Sequence, residues 1–519
     1  MTTLRCAVVL LGLLAFGCDE EEEETPPSAF DQLVEGLGGR ADLDALTGLR
    51  IAGSGARNIP HEGLLPTDAP IQSNTFERAV LLDLAGDSLR VETERTVEFL
   101  FPGMSSYYDV VRGNLGASTE PFGGAPLGAL GSDKTAAIRR QETLLAPQLL
   151  LQGLTEASFT TEPDVQLDGV AHHRLVLAEG PAPLTLFVNA TTGKLSKLET
   201  QELDFYMRDV KLEVFFSEWA AAGNIEFPRE LRVVRDGNTL FTEDVSEVEV
   251  NPAFAAGTFD FPGGVTPVFD QALFDRGELS HQWYYLLDSV GLPFSGIDTM
   301  ITPKELAPGV LQLLGGSHHS FLVEQANGIV LVDAPLYEDR GKALSQYIAT
   351  TFPGKPITHI VASHFHEDHV SGIREVLGDN PSAKLVVHES TEATWRTILA
   401  APSTLRPDAL ALTPREVTIV TVPDASELTL PDATHPLTLY PVDTDHAADL
   451  LLAHESSSNT VFVVDIYSPG FPTQLNPDDF AAALLARAIP TADLKIVGGH
   501  GGETHDYADV LASLPAAVP

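Results

Sequence analysis

The run Ser363-His364-Phe365-His366-Glu367-Asp368-His369, followed by Gly372, sets three imidazoles and a carboxylate close together. Apolar Ile360-Val361-Ala362 precedes it and the helix-like Ile373-Arg374-Glu375-Val376-Leu377 follows, so these side chains occupy a strand-to-helix turn. Imidazole and carboxylate are metal donors that suit zinc, and iron or manganese would fit the same set. In an extended segment side chains alternate, which turns His364, His366 and Asp368 to one side and His369 to the other. Two metal ions side by side explain neighbours facing opposite ways better than one small site does. A plain surface loop would favour Gly, Pro, Asn and Ser over clustered imidazole.

Four further apolar runs end on, or lead to, an acid or a histidine. Ile329-Val330-Leu331-Val332 ends on Asp333, and Leu437-Thr438-Leu439-Tyr440-Pro441-Val442 leads to His446. Val461-Phe462-Val463-Val464 ends on Asp465, and Leu494-Lys495-Ile496-Val497 leads through Gly498-Gly499 to His500. In layered α/β folds the carboxyl ends of strands converge on one edge, so these residues should meet in space. Asp465 follows four apolar residues directly, and a buried carboxylate without a partner would be costly. Two divalent ions held there would lower the pKa of a shared water to about 7 and polarise a carbonyl or phosphoryl oxygen, so hydrolysis follows. Asp368 is placed to orient that nucleophile or pass its proton to a leaving group.

These residues resemble the signature of the metallo-β-lactamase superfamily. Its H-x-H-x-D-H motif stands as His364, His366, Asp368 and His369, its first-strand aspartate as Asp333, its later histidine as His446, its bridging aspartate as Asp465 and its final histidine as His500. The resemblance covers about residues 305 to 515. It implies an αββα sandwich, a first metal held by His364, His366 and His446, a second held by Asp368, His369 and His500, and Asp465 between them. It makes Asp333 structural, bonded to the histidine loop. This half contains no cysteine, which sets aside the cysteine-ligated β-lactamases, and His366 in place of a glutamate disfavours the flavodiiron reductases. The implied activity is that of a binuclear hydrolase acting through a metal-bridging hydroxide on a small-molecule ester, lactone, thioester or amide. A mononuclear iron sulfur dioxygenase, which uses a similar signature, is the alternative within enzymes.

The remaining histidines carry weaker expectations. His318 and His319 should serve strand packing or a hydrogen bond to a ligand, and His172-His173 should be structural because no other ligand types lie nearby. Asp443 and Asp445 are placed to fix imidazole tautomers, and Tyr467 to touch substrate.

The elements that must position the site form an α/β half preceded by a β-rich antiparallel one. Residues 30–265 read as hairpins: Val80-Leu81-Leu82 returns through Ala85-Gly86-Asp87 to Leu89 and Val91, and turns recur at Thr191-Thr192-Gly193 and Asp236-Gly237-Asn238. Val210, Leu212, Val214 and Phe216 alternate as a strand with one buried face, and one helix, capped by Ser132, should kink or end at Pro147. The strand rhythm resembles the half-barrels of outer-membrane lipoprotein carriers, which implies a curved sheet with a concave apolar face. A membrane-tethered lipoprotein that binds an apolar ligand through this domain is therefore the alternative from outside the enzymes. Residues 266–304, with Trp283, Tyr284 and Tyr285, read as a connector packed on the second domain, residues 305–519.

The N-terminus has one early cation, Arg5, and an apolar run from Cys6 to Gly17 that is too short to span a bilayer and fits an export signal, residues 1–18. Leu14-Ala15-Phe16-Gly17-Cys18 resembles a bacterial lipoprotein box. That implies lipidation at Cys18, an acidic tether over residues 19–29 and attachment to a cell-envelope membrane, facing the periplasm. The remaining cysteine, Cys6, lies inside the signal, so the mature chain would have no disulfide. A net charge of -42, with 73 acidic against 31 basic residues, repels phosphate backbones, so no nucleic-acid partner is expected.

Overall fold

The structure is a computed structural model, and it describes residues 27–98, 102–119, 128–280, 299–471 and 474–514. The expected export signal with Cys18, and Trp283, Tyr284 and Tyr285 of the expected connector, lie outside the described residues. No helix among the described residues is long and apolar enough to cross a membrane.

The first half builds a 13-stranded sheet. Its middle strand, Gly48–Ile59, pairs antiparallel with Ile71–Asp83 on one side and with Asn238–Val250 on the other. The short hairpins form where the turn residues require them. Arg235 pairs with Asn238 across Asp236 and Gly237, whose φ angles of 48° and 82° are those of a two-residue turn that follows the strand twist. Val210, Leu212, Val214 and Phe216 are the buried face of Arg208–Ser217.

One face of this sheet is closed by the chain itself. Leu49, Val80, Val91, Leu198, Leu212 and Val233 pack with Phe30, Leu33 and Val34 of the helix Ala29–Gly36 and with Ile138, Leu144 and Leu145 of the helix Ser132–Leu145. The apolar face expected to stay open to a ligand is thus core, and burying it is the sheet's main source of stability. A cavity of about 870 Å³ elsewhere on the sheet is lined partly by Lys197, Glu213, Arg232 and Asp244, a charged lining that does not suit an apolar guest. The helix stops at Leu145 before Pro147, as expected, but its cap is Gly131. The Ser132 hydroxyl instead accepts the Asp270 N–H at 2.8 Å and ties down the connector. There the helix Gln271–Gly277 packs on the first domain, and its Arg276 pairs with Asp133 of that domain and with Asp339 of the second.

The second half is an αββα sandwich. A seven-stranded sheet, from Thr302–Ala307 to Ile419–Val422, faces a five-stranded one, from Leu428–Leu430 to Lys495–Gly498. Phe321, Val330, Val332 and Val361 of the first meet Leu439, Leu451, Val461 and Phe462 of the second, with the Phe321 and Phe462 rings stacked 5.5 Å apart. The other side of the seven-stranded sheet, with Leu331 and Ile360, is covered by Leu344 and Ile348 of the helix Glu338–Thr351 and by Ile373 and Val376 of Ile373–Asp379. Both faces are covered, which is why Gly328–Val332 is buried along its whole length and reads as an unbroken apolar run.

The halves meet over a buried polar contact. The Arg208 side chain, 1 % exposed, donates to Ser403 Oγ at 3.2 Å and to the Arg406 carbonyl at 2.9 Å, and lies 3.3 Å from Glu338 and 3.4 Å from Asp408. Phe205 packs on Tyr337, and Tyr206 on Trp395, beside it.

Glu375, on the helix that follows the histidine loop, offers a test of this packing. Burial pushes its carboxyl up to about 7, although it accepts the Ala409 N–H at 2.6 Å. The folded protein therefore binds this proton more tightly than the unfolded chain, and stability falls as pH rises from about 4.5 towards 7. Glu375→Gln should stabilise the protein by about 1–3 kcal/mol at pH 8, a gain that vanishes below about pH 4.5. Denaturant unfolding of both proteins at the two pH values measures it.

Candidate metal centre

The histidine loop leaves the strand Ile357–Val361, and Asp333 leaves its parallel neighbour Gly328–Val332. Asp333 adopts φ 62°, an uncommon conformation for a residue other than glycine. Its Oδ1 accepts the Ser363 N–H and its Oδ2 the Ser363 hydroxyl, both at 2.8 Å. With its proton given to Asp333, the Ser363 oxygen accepts Nδ1–H of His364 at 3.1 Å, which leaves His364 Nε2 bare and facing inward. Asp333 thus braces the loop. Ser363→Ala should cost about 1–3 kcal/mol in thermal unfolding. It should also weaken binding of a divalent metal ion about ten- to a hundredfold in a chelator competition.

The sequence expectation of strand alternation past His366 is corrected. The chain turns helical at Glu367, and Glu367–Val370 is one short helix with His366 at its cap. Successive side chains there are about 100° apart instead of 180°. Asp368 therefore leaves the side of His364 and His366 and joins His369.

Two groups of metal-type donors result. His364, His366, His446 and Asp465 form one, and His318, Asp368, His369 and His500 the other, each with donor atoms within 4.8 Å of one another. Asp465 faces both. Its Oδ2 lies 2.9 Å from His446 Nε2 and 3.3 Å from His364 Nε2, and its Oδ1 lies 2.9 Å from His500 Nε2 and 3.1 Å from His369 Nε2. The residue sits two positions after the end of the strand Thr460–Val463 and its φ is 48°, a turn that aims the carboxylate inward. His500 is oriented by Nδ1–H, which donates to the Ser317 carbonyl at 3.0 Å.

The donor set fits divalent ions. With metal–nitrogen distances of about 2.05 Å, the edge of a tetrahedral site is roughly 3.3 Å. The His369 and His500 Nε2 atoms are 3.2 Å apart, and His364 Nε2, His366 Nδ1 and Asp368 Oδ1 are buried with no hydrogen-bond partner. Buried lone pairs that converge without donors are stabilised by a cation between them. Burial alone would depress His369, but the Asp465 and Asp368 carboxylates outweigh it and hold its imidazolium well above the usual range. Burial, then neighbouring His364 and His446, hold His366 neutral, well below that range.

His318 lies deeper in the site than its sequence neighbourhood indicates. Its Nε2 donates to Asp368 Oδ2 at 2.9 Å, the hydrogen bond to a ligand that was one of the expected roles, yet it also stands among the second donor group. Burial, then His500, pushes it down to about 4, so it stays neutral at ordinary pH. His319 accepts the Gly315 N–H instead. Three expectations fail. Asp443 and Asp445 are exposed, and it is buried Asp449 that accepts the Phe365 N–H at 3.3 Å. Tyr467 is buried against Phe480, with its hydroxyl on His505 Nδ1 at 2.7 Å, so it is core and no substrate contact. His172 and His173 bond Ser196 and Asp164 within the sheet, as structural residues do.

The first domain also reaches the centre, which nothing in the sequence signalled. The link between Gly48–Ile59 and Ile71–Asp83 places the Gly63 carbonyl 2.8 Å from His366 Nε2 and the Glu62 carboxylate 3.5 Å from His366 Nδ1. The run Pro60-His61-Glu62-Gly63 reads as an ordinary polar turn; only its contact some 300 residues away in the chain reveals a role.

Residues 313–463 match the family model of the metallo-beta-lactamase superfamily. No curated protein matches the chain. Similar solved structures include the DIM-1 metallo-beta-lactamase, 19% identical over 41% of this chain and 94% of that one, with a TM-score of 0.31. A metallo-beta-lactamase from Pontibacter korlensis is 18% identical over 41% of this chain and 97% of that one, with a TM-score of 0.31. The flavodiiron protein from Giardia intestinalis is 14% identical with a TM-score of 0.31; the match covers 41% of this chain and only 58% of that one.

Proposed function

We propose that this chain, whose residues 313–463 match the metallo-beta-lactamase superfamily model, is an exported, membrane-tethered hydrolase that uses two divalent metal ions, zinc by preference, on a small-molecule ester, lactone, thioester or amide. The observation that carries the reading is Asp465, one carboxylate whose two oxygens each serve a separate histidine group. A single-iron dioxygenase would leave the second group without a purpose.

Ions held there supply a water of lowered pKa and an electrophile for a carbonyl oxygen. The chain's own contributions are positional. His364, His366 and His446 hold the first position, and Asp368, His369 and His500 the second. The Ser363–Asp333 pair and the Gly63 carbonyl fix the rings of His364 and His366, so that little reorganisation is needed at the moment of reaction. Asp368 has one oxygen on His318 and the other bare, and it is the residue that steers the attacking water and passes its proton to the leaving group. Access is from the side of His500, the most exposed of the ligand side chains at 18%. Lipidation at Cys18 and the acidic tether would hold the enzyme on the envelope membrane.

A panel of esters, lactones, thioesters and β-lactams, assayed with metal-stripped and zinc-reloaded protein, tests the reading. Hydrolysis of at least one class that returns with zinc is expected; no hydrolysis of any class, with sulfur oxidation after iron loading, would overturn it.

A further inference from the structure

We propose that Glu62, carried by the first domain, is a further carboxylate donor at the first metal position, so that the metal centre is completed only when both domains are in place. The inference rests on the binuclear reading above.

The segment after Gly48–Ile59 is held against the centre at successive residues. The His61 ring packs 5.1 Å from Tyr206, the Gly63 carbonyl accepts from His366 Nε2 at 2.8 Å, and the Leu64 carbonyl accepts the Ala448 N–H, two residues past His446, at 2.9 Å. His61 has φ 61°, an uncommon conformation for a residue with a side chain, and it sets the chain direction from which Glu62 points inward. Glu62 is 8 % exposed. Its Oε1 is buried with no hydrogen-bond partner, and its Oε2 lies 3.5 Å from His366 Nδ1.

That nitrogen carries the lone pair. Because Nε2–H is given to Gly63, Nδ1 of the neutral ring has no proton to donate to Glu62. With Glu62 ionised, two electron-rich atoms would face each other at 3.5 Å, close to the roughly 3.3 Å edge of a tetrahedral metal site. A buried carboxylate without a donor is costly to keep, and a shared divalent cation is the partner that relieves both atoms. Glu62 stands beside the group His364, His366, His446 and Asp465, at its His366 corner. One loop of the first domain thus supplies both the acceptor that orients a ligand and a donor of its own, a metal-linked role for a domain otherwise built as a sheet.

The test uses the full chain and Glu62→Gln, loaded with zinc. The readouts are competition with a chromogenic chelator, zinc X-ray absorption and thermal unfolding of the metal-free proteins. The expected result is that Glu62→Gln binds one of its two ions at least about tenfold more weakly and loses oxygen coordination, while its metal-free melting temperature is not lowered. Glu62→Ala, without any donor, should weaken the same ion at least as much. If the parent binds two ions and Glu62→Gln binds both with unchanged affinity and coordination, this inference is overturned and the binuclear reading stands. A parent that binds fewer than two ions overturns the binuclear reading itself.

Discussion

On the proposed binuclear hydrolase reading, Asp465→Asn should lose at least one of two metal ions and lower hydrolytic activity about a thousandfold or more, equivalent to ~4 kcal/mol of barrier. The carboxylate presents Oδ2 to His364 and His446 and Oδ1 to His369 and His500. An asparagine keeps the shape, but it offers one neutral oxygen and one N–H₂ group, so one histidine group meets a donor where it needs an acceptor. The backbone is not the weak point, because asparagine tolerates the φ of 48° that Asp465 adopts. The variant should therefore fold, and metal analysis with a steady-state assay on the reloaded protein separates loss of the ion from loss of the fold. Retention of two ions and full activity would mean that Asp465 serves only to neutralise His369.

The second large effect is on stability. Arg208→Met should destabilise the protein by about 3–5 kcal/mol, because the guanidinium is 1 % exposed and its removal leaves buried acceptors behind. The loss is tempered where other cations remain, since Glu338 also pairs with Arg406 and Asp408 with Arg374. Because Arg208 lies in the first half and its partners in the second, the damage falls on the contact that also carries Gly63 to His366. A fall in melting temperature of roughly 10 °C is expected by differential scanning calorimetry. A change below about 2 °C would show that the two halves hold together without it.

The residues that were legible in the sequence share one property: each follows an apolar strand closely in the chain. Asp333, His364, His446, Asp465 and His500 stand at or just after strand ends, where side-chain chemistry can be inferred from the neighbouring residues alone. Hairpins such as Arg235 to Asn238 were legible for the same local reason, through the left-handed preference of Asp-Gly. The pairing of Gly48–Ile59 with Asn238–Val250 was not, because nothing local marks a partner so far along the chain.

Neither was the filled face of the first sheet. An alternating strand shows that one side is apolar, and cannot show whether a helix or a ligand will cover it. The same limit hid Glu62 and Gly63, whose meaning depends wholly on His366. Tyr467 failed in the opposite way: two residues beyond Asp465 it was near in sequence, yet the chain reverses there and buries the ring on Phe480. Alternation past His366 failed because a single helical turn replaced an extended segment.

Whether the two donor groups around Asp465 hold two ions at once is decided by elemental analysis of the purified protein beside its His366→Ala variant. Near two divalent ions per chain in the parent, predominantly zinc, and fewer in the variant are the predicted results. No bound metal in the parent, or the same two ions in both proteins, would contradict the binuclear reading.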